Sequence, residues 1–120
     1  MLKKILLCED DEGIIEVVKI ILTEKGYDVV KLYDYKGVVK QVKKIKPDLI
    51  IMDLWLPEIS GEQATKILKN NPATKKIPII ILSAHQNGLK IARSSGADDF
   101  LNKPFDISDL EKMVDKYANQ

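Results

Sequence analysis

Short runs of almost pure branched aliphatic residues recur along this chain, and they constrain its fold more than any other feature. ILL at 5–7, LIIM at 49–52 and IIIL at 79–82 contain no polar residue, which is how strands buried on both faces of a sheet read. The first of these runs sits in a strand candidate spanning 4–8. Less pure runs at 28–32 and 100–101 complete the set. Amphipathic stretches lie between them. This alternation predicts βαβ units around a parallel sheet.

The first helix is predicted over 12–25, stopping at Gly26, which can take a left-handed cap. The second, over 36–45, carries Val38, Val42 and Ile45 on one face, and Lys46-Pro47 blocks its continuation. The third follows Gly61 and shows Ala64, Ile67 and Leu68. The fourth, over 86–95, is interrupted by Gly88 and has only Leu89 and Ala92 as its apolar face. The fifth has Leu110, Met113, Val114 and Tyr117 at helical spacing, with Asp106 or Ser108 as its cap. Five β/α repeats in 120 residues imply one α/β domain over 1–120. The expected fold is a flavodoxin-like doubly wound (βα)5, its five-stranded parallel sheet in order 2-1-3-4-5 with helices on both faces. In that order a ligand crevice lies beyond the carboxyl ends of the strands.

Composition narrows the function. Hydrophobic residues make up 45% and charged residues 31%, which predicts a soluble globular chain. The net charge of +1 lacks the basic excess of a duplex-binding protein, so no direct nucleic-acid contact is expected. The lysines around the second helix (Lys36, Lys40, Lys43, Lys44, Lys46) read as a solvated face. The apolar run before Glu9 is too short for a signal peptide or membrane span, which predicts a cytoplasmic protein with no membrane contact. Cys8 is the only cysteine, so no internal disulfide forms, and it reads as a small buried hydrophobe.

The polar residues that end the strands carry the chemistry. Strand 1 ends in Glu9-Asp10, strand 3 in Asp53, strand 4 in Ser83-Ala84 and strand 5 in Asn102-Lys103-Pro104. In the proposed strand order they converge. Close carboxylates repel one another and raise each other's pKa unless a cation lies among them. Their hard oxygens suit Mg²⁺, with Mn²⁺ as the alternative. An aspartate beside a divalent cation, a lysine and a hydroxyl fits phosphoryl transfer with the carboxylate as nucleophile. Asp11 and Glu12 read as the acidic start of the first helix.

The segments ILLCEDDE, DLIIMDLWLPEISG, IIILSA and GADDFLNKPF, in that order, resemble the signature segments of response-regulator receiver domains, the CheY-like half of two-component systems. The resemblance covers the whole chain and implies a phosphoacceptor signalling switch. It makes Asp53 the phosphoacceptor and Asp10 a direct metal ligand. Glu9 becomes the neighbouring acid acting on the metal, and the backbone carbonyl of Trp55 a further ligand. Ser83 and Lys103 contact the phosphoryl group, and Lys103-Pro104 takes a cis peptide bond. Phe100 stands at the switch-aromatic position. Tyrosine is frequent there, so any partner bond through a tyrosine hydroxyl is excluded here. Trp55 and His85 flank the path of the hydrolytic water. Trp55 either shields the acyl phosphate or contacts a partner, and His85 either orients water, crowds it or is a plain loop residue.

The implied partners are a histidine kinase or phosphotransfer protein upstream, and a downstream protein target or fused output domain. The readout is the face of helix 4, strand 5 and helix 5, although the stretch from His85 to Ser95 is shorter than usual for the family. The chain would catalyse its own phosphorylation and dephosphorylation and no other reaction. It reads as either a complete single-domain regulator or the receiver of a larger protein. Trp55 stands where a haloacid-dehalogenase-type phosphohydrolase needs a second aspartate. The acids after strand 1 would repel the phosphate of a flavin, and no GxxxxGK[ST] or GxGxxG segment occurs. A receiver that serves only as a protein-interaction module is the remaining alternative.

Overall fold

The computed structural model describes residues 2–120. Its elements, in chain order, are β1 (Lys4–Cys8), α1 (Glu12–Glu24), β2 (Asp28–Lys31), α2 (Val38–Ile45), β3 (Leu49–Asp53), α3 (Gly61–Lys69), β4 (Ile79–Ser83), α4 (Gly88–Ser95), β5 (Asp99–Asn102) and α5 (Ile107–Ala118). The strands form one five-stranded sheet in the order β2-β1-β3-β4-β5, every pair parallel. This is the doubly wound arrangement expected from the alternation.

Strand side chains alternate between faces, and this sheet buries both. Ile5, Leu7, Leu49, Ile51, Ile80 and Leu82 point one way. They pack with Ile15, Val18 and Leu22 of α1 and Leu110 and Val114 of α5. Leu6, Cys8, Ile50, Met52, Ile79 and Ile81 point the other way, against Val38 and Val42 of α2, Ala64 and Leu68 of α3 and Ala92 of α4. Each large aliphatic side chain so buried contributes roughly 1.5–3 kcal/mol relative to exposure.

Helical spacing explains where the expected faces were wrong. The inward face of α3 is Gly61, Ala64, Thr65 and Leu68, so Ile67 falls outside it and is exposed. Gly88 does not interrupt α4; it is the first residue of the helix, whose buried positions are Gly88, Ala92 and Ser95. Leu89 therefore points to solvent. Glycine at 88 makes room for the Phe100 ring: a Cβ there would lie 2.6 Å from it, and the ring would have to shift. Helix α2 starts two residues later than expected, since Gly37 just before it adopts φ +60. Asp106 stands at the N-cap position of α5, as expected, but without a side-chain capping bond.

Register aligns the carboxyl ends of the strands. Cys8 pairs with Met52, Asp53 with Leu82 and Ser83 with Asn102. Beyond the last pair, the Lys103 N–H donates to the Ser83 carbonyl at 3.0 Å. The residues that follow or end β1, β3, β4 and β5 thus emerge on one rim.

Candidate functional site

Asp53 ends β3 and is only 5% exposed; Glu9, just past β1, is 1% exposed. Lys103 reaches both. Its Nζ lies 2.7 Å from Glu9 Oε1 and 3.3 Å from Asp53 Oδ1. The other Glu9 oxygen accepts the N–H groups of Asp10 and Asp11, at 2.9 and 3.0 Å. Asp11 in turn caps α1 by accepting from the Ile14 N–H at 3.1 Å, and Glu12 occupies the first turn, the structural roles expected of these two acids. Glu9 is therefore fixed at three points.

This geometry leaves Asp53 frustrated. Burial, and then the charge of Glu9, push its pKa up to about 6 against the pull of Lys103. Burial lowers the pKa of Lys103, but its bonds to Glu9 and Asp53 outweigh that and leave it raised, a committed ammonium. One cation between two buried carboxylates leaves the pair short of positive charge. Among the described residues, no group of three or more His, Cys, Asp or Glu side chains is arranged to hold a metal ion by itself. The donor chemistry nevertheless fits Mg²⁺, which binds through one or two carboxylates and keeps waters as its remaining ligands. Asp10, beside Glu9, is exposed and available on the same rim.

The other expected residues also gather here. The Ser83 side chain is fully buried at the end of β4, and its Oγ accepts the His85 N–H at 3.0 Å. The hydroxyl proton remains free to donate. His85 Nδ1 accepts the Asn87 N–H at 3.0 Å, which holds the turn leading into α4. The Trp55 and His85 rings lie 5.9 Å apart and tilted by 41°, and Trp55 is 69% exposed. With Leu54, Ser60, Glu62 and Ile91 these two rings line a cavity of about 210 Å³. The half-buried ring of Phe100 lies against Gly88, on the side where Ser83 Cβ is also close. Lys103-Pro104 is cis, as expected.

Two glycines that the sequence reading treated only as helix punctuation shape the site. Gly88 makes room for Phe100. Gly61 makes room for the backbone of Asp53: a Cβ at 61 would lie 2.0 Å from the Asp53 carbonyl oxygen. Their only signal was position: each is the first helical residue, directly after an ordinary N-cap residue, Ser60 or Asn87.

Comparison with known proteins agrees with this geometry. The model of the response regulator receiver domain family matches residues 5–115. The phosphate regulon transcriptional regulatory protein PhoB of Escherichia coli is 38% identical over 116 residues, covering 95% of this chain and 51% of PhoB. The DNA-binding response regulator MtrA of Mycobacterium leprae is 31% identical over 116 residues, covering 95% of this chain and 50% of MtrA. The chain thus spans about half the length of these curated relatives. Among solved structures, the receiver domain of a sensor histidine kinase from Pseudomonas aeruginosa PAO1, with magnesium coordinated in its active-site cleft, superposes with a TM-score of 0.89 at 28% identity and full coverage of both chains. The chemotaxis protein CheY4 of Vibrio cholerae gives 0.85 at 25% identity, covering 98% of this chain and 99% of CheY4. Strand order, clustered acids and shared lysine, together with this family match, show that the chain belongs to the response regulator receiver domain family of two-component signalling.

Proposed function

We propose that residues 1–120 act as one receiver unit that takes a phosphoryl group onto Asp53 from a phosphohistidine on a partner kinase or phosphotransfer protein. The observation that carries this is the Asp53 carboxylate, buried at a strand end and 3.3 Å from the Lys103 ammonium. An Asp53 oxygen attacks phosphorus; the new O–P bond forms as the P–N bond breaks, and the departing imidazole keeps the electron pair. Lys103 offsets charge on the phosphoryl oxygens. Asp10, Asp53 and the Trp55 carbonyl would hold Mg²⁺, with Glu9 acting on it through water, and Mn²⁺ would substitute. When bound, the cation supplies further positive charge for the phosphoryl oxygens. Water later cleaves the acyl phosphate, regenerating the carboxylate and releasing inorganic phosphate, so the chain acts catalytically only on itself.

The switch follows from the bonds around Ser83. Its free hydroxyl proton donates to the new phosphoryl oxygens, and the movement draws on the His85 turn that precedes α4. Phe100, packed against Gly88, responds to any displacement of that turn. Phosphorylation thereby shifts a two-state equilibrium of the α4–β5–α5 face, which a downstream protein or fused output domain reads, with no nucleic-acid contact by the receiver itself. Among the described residues no helix is long and apolar enough to cross a membrane, in keeping with a cytoplasmic site of action. Trp55 and His85 tune phosphoryl lifetime from the mouth of the site.

Incubation with Mg²⁺ and acetyl phosphate should add one acid-labile phosphoryl group by intact mass. Asp53→Asn should add none. Equal labelling of the two proteins defeats the assignment, and no labelling of either leaves the chain a protein-interaction module.

A further inference from the structure

Tyr35 lies in the connection between β2 and α2, three residues past Leu32, whose N–H donates to the Leu7 carbonyl at 3.0 Å. That bond holds the carboxyl ends of β1 and β2 side by side, so Tyr35 arrives next to the segment carrying Glu9 and Asp10. It is 5% exposed and belongs to the same apolar cluster as Cys8, Met52 and Leu54. Cys8 precedes Glu9 in the chain, and Met52 and Leu54 flank Asp53. The ring thus belongs to the buried cluster that holds the chain neighbours of both acids.

Its hydroxyl is buried, and among the described residues no protein group bonds to it. A buried unpaired hydroxyl costs stability, and phenylalanine would fill the same space without that cost. A tyrosine here therefore calls for a partner that arrives in another state of the site. The surroundings say which kind. Burial first, and then the nearby Cys8 thiol, itself neutral, and the carboxylates of Asp10, Glu9 and Asp53, push the Tyr35 pKa above its ordinary value. The hydroxyl stays protonated at neutral pH, a donor among acceptors. Glu9 and Asp53 already share Lys103, and the second Glu9 oxygen is taken by two N–H groups. Asp10 is exposed, and among the described residues its carboxylate has no ion-pair partner.

We propose that Tyr35 is a positioning residue of the cation site: its hydroxyl donates to the Asp10 carboxylate when that carboxylate turns inward to take a cation. This rests on the reading of Asp10 as a metal ligand. The bond occupies one carboxylate oxygen and aims the other, the way groups behind a metal ligand ordinarily set its orientation.

Calorimetric titration with Mg²⁺ of the intact wild-type chain, Tyr35→Phe, Asp10→Asn and the double variant tests it. Tyr35→Phe should weaken Mg²⁺ binding about tenfold. It should unfold at no lower temperature than wild type in EDTA, because it only removes an unpaired hydroxyl. Asp10→Asn should weaken binding further, and adding Tyr35→Phe to it should change the affinity by less than about twofold. A Tyr35→Phe affinity within about twofold of wild type overturns the Tyr35 role and, if Asp10→Asn still loses affinity, leaves the metal reading standing. A full further loss in the Asp10→Asn background also overturns it, since the hydroxyl would then act elsewhere. A lower unfolding temperature of Tyr35→Phe in EDTA overturns it by making the hydroxyl merely structural. If Asp10→Asn binds Mg²⁺ as wild type does, the metal reading fails and takes the Tyr35 proposal with it.

Discussion

The two ends of the sheet use the same residue types to opposite effect. At the amino ends Asp48, Asp98 and Asp115 are each satisfied. Asp48 accepts the Lys4 N–H at 2.7 Å, and Asp98 accepts the Ile79 N–H at 2.8 Å while pairing with Lys69 at 2.6 Å. Asp115, near the end of α5, accepts hydrogen bonds from the Lys25 ammonium and the Tyr27 hydroxyl, which hold its pKa below the usual aspartate value. These acids staple loops and helices to strand starts. At the carboxyl ends Glu9 and Asp53 divide a single lysine, and the Asp53 pKa is pushed up. A satisfied acid contributes stability. An unsatisfied one holds a repulsion that a cation or a phosphoryl group can relieve, and this is the physical difference between scaffold and site.

The largest effect should come from relieving that repulsion. Above its folded pKa of about 6, Asp53 is ionised at a cost fully present at neutral pH; below about pH 4 it is protonated in folded and unfolded chains alike, and the cost disappears. Asp53→Asn should therefore abolish phosphorylation yet stabilise the cation-free protein at pH 7 by roughly 1–3 kcal/mol. Urea unfolding in EDTA reads this, and the gain should shrink as pH falls from 6 toward 4 or as Mg²⁺ is added. A destabilised Asp53→Asn protein would show that Asp53 is as well paired as Asp98.

Gly61→Ala drives a methyl group into the Asp53 carbonyl and should cost about 1–3 kcal/mol in the same measurement. It should slow phosphorylation as well, because the backbone displaced is that of the nucleophile. An active, fully stable variant would mean that the rim is looser than its geometry.

Trp55→Ala should leave stability nearly unchanged, since the ring is mostly exposed. If the ring shields the acyl phosphate, loss of phosphoprotein after donor removal should speed up about tenfold, which is ~1.4 kcal/mol in barrier height. An unchanged or longer half-life assigns Trp55 to partner contact instead.

At the other end, Asp98→Ala should cost about 1 kcal/mol by leaving the Ile79 N–H without its acceptor, with phosphorylation intact. Impaired labelling there would break the separation of the two ends. The smallest effect belongs to Asp115→Asn. Because the folded pKa of Asp115 is depressed, its contribution is present at neutral pH and is lost as pH falls through that value. The variant should melt slightly below wild type at pH 7 and equal to it in strong acid.

Much of this was legible beforehand because it is local. Three strands showed as unbroken aliphatic runs, α1 by its stop at Gly26 and α5 by its helical spacing. Helix α4 read poorly because its buried face is Gly88, Ala92 and Ser95, residues with little hydrophobic signal. Ile67 and Leu89 were assigned inward on hydrophobicity alone, and the angular position of each on its helix placed it outside. The acids, serine and lysine of the site could be named from their places at strand ends. Their charge states could not, because these depend on distances between residues far apart in the chain.

The amino-acid sequence by itself determined the number and order of elements, the aliphatic runs of the central strands, and the set of polar groups ending each strand. Those properties arise within a turn or a few residues, where backbone geometry fixes the spacing. Tertiary structure alone decided that Lys103 divides itself between Glu9 and Asp53, that burial and the nearby Glu9 push the Asp53 pKa up to about 6, and that a Cβ at 61 or 88 would collide with the Asp53 backbone or the Phe100 ring. It also decided that the Tyr35 hydroxyl is buried without a bonding partner among the described residues. Each of these depends on strand register and helix docking, which set separations to tenths of an ångström between groups whose positions in the chain say nothing about their distance.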